Sequence, residues 1–200
     1  MTPNTATETE ALLNLLAMLL ASPGTGALIG LLVLAAVIDW RTLKIPNWLT
    51  VSGMVYGLAY STIAAPAHQG AVMGALSSLG GLGLGLAVFL PLYALRVMGA
   101  GDVKLLAMVG AFMGLPSAMY AFLACTVAGG AFALFYVLYQ NVALKFAMNL
   151  GAVLQMLPFA AQHGRRAGAW LATAPSIGKM PYGPAICAGT VVYLVVRQLS

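Results

Sequence analysis

From Gly26 onward the chain is a series of apolar runs, several of them long enough for a helix to cross a bilayer, parted by stretches that hold glycine, proline and the few charges. A helical span needs roughly 20 predominantly apolar residues. Inside hydrocarbon every backbone N–H and C=O must find a partner within the protein, which leaves two solutions, helices or a closed β-barrel. Barrel strands alternate polar and apolar residues, and that alternation is missing here. Only 6% of the residues are charged and the mean hydropathy is +0.95, whereas soluble domains carry about 25% charged residues. The expected fold is therefore all-α: a polytopic transmembrane bundle of about six helices. It forms one domain over residues 1–200, with residues 1–25 as an N-terminal extension.

The runs place the spans at Gly26–Ile38, Trp48–Ala65, Ala71–Leu95, Val103–Leu115, Ser117–Gln140 and Ala185–Val196. Ala11–Ala21 is apolar but short and is preceded by acidic residues, where a signal peptide needs basic ones. It reads as an interfacial helix or a kinked extension of the first span. Between the fifth and sixth spans the chain is mixed, and Phe146–Phe159 has the apolar spacing of a surface-lying amphipathic helix. Glycines four apart (Gly70 and Gly74, Gly81 and Gly85) suit close helix contacts. Gly81-Leu-Gly83-Leu-Gly85 lacks the preceding strand of a phosphate-binding loop. Cys125 and Cys187 lie inside apolar runs and read as small buried hydrophobes.

With six spans, the segments after the first, third and fifth share one side. They hold Arg41, Lys44, Arg96, Lys104, Lys145, Arg165, Arg166 and Lys179, against Arg197 alone on the other side. Cationic loops stay in the cytoplasm, so that side is cytoplasmic. The net charge of +5 then reflects topology and contact with membrane lipids rather than a nucleic-acid partner.

Four residues are acidic, and Glu8 and Glu10 precede every long apolar run. Asp39 and Asp102 are left, both at the cytoplasmic ends of spans. Ionisable residues inside a membrane are costly and usually functional. Two carboxyl groups at one site resist ionising together and share a proton. Such a pair hydrolyses an amide: the charged member takes a proton from water while the protonated one donates to the carbonyl oxygen. Taken singly, each aspartate has a plainer reading. Asp39 can pair with Arg41 or Lys44 at the headgroups, and Asp102 can be the N-cap of the fourth helix. Gly99 and Gly101 permit close approach around Asp102. Lys104 reads as a topology signal or as a charge tuning the pair. His68 and His163 fall in loops, and no cluster suited to zinc is visible, so neither metal nor cofactor is expected. Outside peptidase chemistry, the two aspartates would also serve a small proton or cation translocator, or the chain could be a non-catalytic assembly subunit.

Three motifs carry a resemblance. Gly99-Ala100-Gly101-Asp102 resembles the GxGD motif of intramembrane aspartic proteases. Asp39, followed by Ile45-Pro46-Asn47, resembles the first-aspartate motif of type IV prepilin peptidases. Met180-Pro181-Tyr182-Gly183-Pro184 resembles the motif before that family's last helix. The resemblance implies Asp39 and Asp102 as the catalytic pair, with Gly99, Gly101, Lys104, Pro46, Asn47, Tyr182, Gly183 and Pro184 in support. It implies prepilins and pseudopilins as substrates, cleaved after a glycine where a short basic leader meets a hydrophobic helix. The chain has no CxxC pair and so is similar to the small peptidase-only members of CpaA/TadV type. These process Flp pilins of tight-adherence systems at the bacterial inner membrane, and methyltransferase activity is not implied.

Overall fold

The computed structural model describes residues 22–65, 70–94, 98–139 and 181–199. Among them the chain forms helices joined by short connections, with no strand: α1 (Pro23–Thr42), α2 (Asn47–Ile63), α3 (Gly70–Ala94), α4 (Ala100–Tyr139) and α5 (Gly183–Leu199). The expectations for Ala11–Ala21 and for Phe146–Phe159 lie outside the described residues, as do Arg96, Lys145, Arg165, Arg166 and Lys179.

Among the described residues three helices are long and apolar enough to cross a membrane: α1, α3 and α4 as far as Phe135. Their apolar character is not confined to one stripe. Leu28, Leu32, Leu105 and Met108 are buried between helices, while Val33, Leu76, Leu123 and Val127 face outward. A helix that is apolar all round belongs in a large core or a bilayer. Among the described residues every buried side-chain nitrogen or oxygen has a hydrogen-bond partner, as hydrocarbon demands.

The segments expected as separate fourth and fifth spans form one element, α4, broken at Gly114 (φ 73, ψ 166). Only glycine adopts that conformation without strain, and Pro116 lacks the N–H that would continue the ladder. The chain folds back at the break. Gly85 of α3 meets the backbone of Ala107, and four residues further along α3 Phe89 meets Phe122 edge-on, at 5.4 Å between ring centroids. In a straight helix residues 107 and 122 would stand about 22 Å apart. Two antiparallel arms, residues 100–113 and 115–139, therefore pack on α3. Beside the break the Ala111 carbonyl accepts hydrogen bonds from Ser78 (2.6 Å) and Ser61 (3.5 Å), tying α3 and α2 to the turn.

The first arm and α3 touch backbone to backbone: a Cβ on either Gly81 or Gly110 would meet the other's carbonyl oxygen. Gly74 likewise packs against the Ser61 carbonyl. Gly70 does not fit the close-contact expectation. It begins α3 with a left-handed backbone and faces open space. Gly81→Ala should therefore cost about 1–3 kcal/mol through overpacking, read as earlier thermal unfolding in detergent. Gly83→Ala, with nothing within 4 Å of the new Cβ, should leave stability unchanged or raised. The second arm packs on α5, where Cys125 is buried with Sγ 3.4 Å from Thr190 Oγ1. Cys187 is only half-buried, and both thiols are free.

Candidate active site

α1 carries Asp39 one turn before its end, inside the helix. The helix closes on Leu43, whose left-handed backbone (φ 51, ψ 32) points its N–H at the Asp39 carbonyl oxygen, 2.8 Å away. Glycine usually fills this position. Leucine there costs on the order of 1 kcal/mol, and Thr42 Oγ1, 3.0 Å from the Lys44 carbonyl, braces the turn. The chain then runs extended through Pro46 (φ −69, ψ 137) into Asn47, the first residue of α2. Proline sets its own φ and cannot donate, so this junction is rigid. The Asp39 side chain does not lie out among the headgroups beside Arg41 and Lys44. It is 5% exposed, and its Oδ2 accepts a 2.8 Å hydrogen bond from the Gly183 N–H.

Asp102 is not the N-cap of its helix. α4 starts earlier, with Gly99 as the capping residue: its carbonyl accepts from the N–H groups of Asp102 (3.2 Å) and Val103 (3.3 Å). The Gly99 N–H donates back to Asp102 Oδ2 at 3.2 Å. Asp102 thus stands third in the helix, in the place of the acidic member of a capping box, and is 8% exposed. Gly101 faces the α1–α2 connection, where a Cβ would sit 3.1 Å from Ile45 Cβ. Lys104 then joins the two helix starts, its Nζ donating to Asn47 Oδ1 at 2.8 Å. This strut escaped the sequence reading, which gave Lys104 to topology or to tuning. The only hint was an ammonium donor and an amide acceptor each near the start of a helix. The bond is exposed, so a Lys104→Met and Asn47→Ala double-mutant cycle should give a coupling of only about 0.5–1 kcal/mol, below the range for bonds to charged groups.

The third contribution comes from the start of α5. Pro181 is buried, Tyr182 is half-buried and non-helical, and Gly183 and Pro184 open the helix, a suitable place for proline. A Cβ on Gly183 would stand 2.9 Å from Asp39 Cβ and 3.0 Å from its Oδ2. The absence of a side chain is what lets α5 seat against the carboxylate. Burial pushes the Tyr182 phenol above its ordinary range and the Asp102 charge pushes it further, so at neutral pH it keeps its proton.

Asp39 and Asp102 come from different helices to the same end of the bundle, where Gly183 is seated on Asp39 and Gly101, next to Asp102, packs on Ile45 of the connection that follows α1. Among the described residues they gather no third His, Cys, Asp or Glu. Arg41, Lys44 and Lys104 lie at this end. Arg197 lies toward the far end of α5, roughly 21 Å along the helix from Gly183 at 1.5 Å per residue. Two sheltered carboxyl groups held by backbone N–H donors can pass protons to and from a substrate placed between them.

No curated protein and no solved structure matches the chain. One family does: the type IV leader peptidase family, over residues 26–134. The matched stretch runs from α1 into the second arm of α4 and contains both buried aspartates, though it stops short of Tyr182–Pro184. Because it spans more than half of the 200 residues, the chain belongs to the type IV leader peptidase family, and is a membrane-embedded peptidase.

Proposed function

We propose that the protein is an aspartic endopeptidase that removes the short leader from prepilins, with Asp39 and Asp102 as its catalytic pair. The observation that carries this reading is the convergence of two buried aspartates on one end of the bundle, each with an oxygen held by a backbone N–H. The pair holds one proton between its members, since adjacent carboxylates resist ionising together. The charged carboxylate takes a proton from a water molecule. That water attacks the scissile carbonyl carbon, and the protonated carboxyl group donates to the carbonyl oxygen. The resulting tetrahedral species collapses by breaking the C–N bond, with the proton passing to the leaving amine. Gly183 and Gly99 orient the two carboxyl groups, and Gly101 lets the α1–α2 connection pack closely. Pro46 stiffens that connection, and Lys104 with Asn47 keeps the helix starts in register. Tyr182, protonated beside Asp102, supplies a donor to the bound peptide, and Pro184 starts α5.

The bundle crosses the bacterial inner membrane six times, with the α4 fold-back separating two of the crossings. Residues 1–200 act as one domain. The basic residues around the site keep this end in the cytoplasm, where the leader of a prepilin or pseudopilin remains. The lack of a CxxC pair favours a peptidase-only member of CpaA/TadV type acting on Flp pilins, without methyltransferase activity. Co-expression with a candidate Flp prepilin tests this: a mobility shift marking leader loss is expected with the wild-type protein. If the prepilin stays full-length although the protein reaches the membrane, the substrate assignment is wrong.

A further inference from the structure

Between the end of α3, both arms of α4 and the start of α5 lies a cavity of about 230 Å³. Its lining is overwhelmingly apolar, with Phe89, Leu106 and Ile186 among its walls. On the second arm the polar groups that border it are already engaged: Thr126 Oγ1 donates to the Phe122 carbonyl at 2.8 Å, and Cys125 Sγ lies 3.4 Å from Thr190 Oγ1. These walls therefore call for an apolar occupant. A cavity of about 150 Å³ with aliphatic and aromatic walls stays dry and accepts a benzene ring, so this one has room for one large aliphatic or aromatic side chain. Tyr182 and Ala185 in the wall flank Gly183, whose N–H holds Asp39, and Leu106 stands one helical turn after Asp102. The cavity thus opens beside the carboxyl pair, within reach of the residue next to a peptide bond held there.

We propose that this cavity is a specificity subsite that takes the first large apolar side chain on the mature side of the scissile bond. The inference rests on the aspartic peptidase reading above. The leader is basic, so only the hydrophobic segment that follows the bond can supply such a group. Gly129 and Gly130 keep the second arm's wall open, for among the described residues nothing lies within 4 Å of a Cβ built on either. A side chain there occupies the space the substrate would use.

Gly129→Leu and Gly130→Leu test the proposal, and both replace glycine by a better helix former, which favours folding. The probes are two synthetic peptides spanning a leader–helix junction, with either phenylalanine or alanine directly after the scissile glycine. The filled variants should lose about 10-fold or more in kcat/KM for the phenylalanine peptide, the scale on which apolar pockets discriminate. They should cleave the alanine peptide at close to the wild-type rate. Binding of the same peptides to the Asp39→Asn/Asp102→Asn double variant, with and without the filling leucine, should show the same selective loss. Equal losses for both peptides, or no loss for either as expected if a lipid acyl chain fills the cavity, would overturn the proposal. If the double variant still cleaves, it is the aspartic reading that fails, and the binding series still reports on the subsite.

Discussion

Asp39→Asn or Asp102→Asn should each slow leader cleavage by about 10³-fold or more while the protein still accumulates in the membrane. Asparagine keeps the shape of the side chain and can still accept the backbone N–H of Gly183 or Gly99. What it loses is the ability to take or give a proton. A positioned general acid or base contributes about 10²–10⁴-fold, and here each substitution also removes the partner with which the other carboxyl group shares its proton. KM should change little, because the lost interaction acts in the transition state. Single-turnover cleavage of a prepilin in detergent or vesicles measures both quantities.

The second large effect is expected at a residue with no reactive group. Gly183→Val places a branched side chain where even a Cβ would lie 2.9 Å from Asp39 Cβ. Either α5 moves outward or Asp39 swings away, and in both cases the 2.8 Å bond from the Gly183 N–H is broken. A displacement of about 1 Å at a reacting group can cost 10²-fold in rate, so kcat should fall by about that factor. Gly189→Ala serves as a comparison. It crowds the same helix against the backbone of Cys125, well away from the aspartates. If it lowers kcat as much as Gly183→Val does, the loss reflects general disruption of α5 and not the position of Asp39.

The sequence placed the helices well because hydrocarbon leaves the chain so few alternatives. The reversal between the expected fourth and fifth spans was signalled by Pro116. The actual break is at Gly114, two residues earlier, because a missing N–H disturbs the turn before the proline and glycine is the residue there that can adopt φ 73. The plainer reading of Asp102, as the N-cap of α4, came from the same kind of local reasoning. Asp is a favoured N-cap, but Gly99 supplies the carbonyl that starts the helix, which leaves Asp102 in its first turn. Charge counting brought Asp39 and Asp102 to one face of the membrane, yet it could not reveal which groups hold them. The bond from Gly183 to Asp39 joins residues 144 positions apart, and the Lys104–Asn47 strut joins residues 57 apart. Such pairings follow from how helix ends meet in three dimensions. A lysine whose position already made sense as a topology signal gave no reason to look for one.

In the proposed mechanism Asp39 and Asp102 work as a single proton-sharing unit. Its most direct test is a double-mutant cycle on single-turnover cleavage, comparing Asp39→Asn, Asp102→Asn and the double variant in one assay. Groups that act as a unit are strongly non-additive. The double variant is therefore predicted to be no slower than the slower single variant. Losses that multiply, or a single variant that cleaves at the wild-type rate, would show that the two aspartates do not act as a unit.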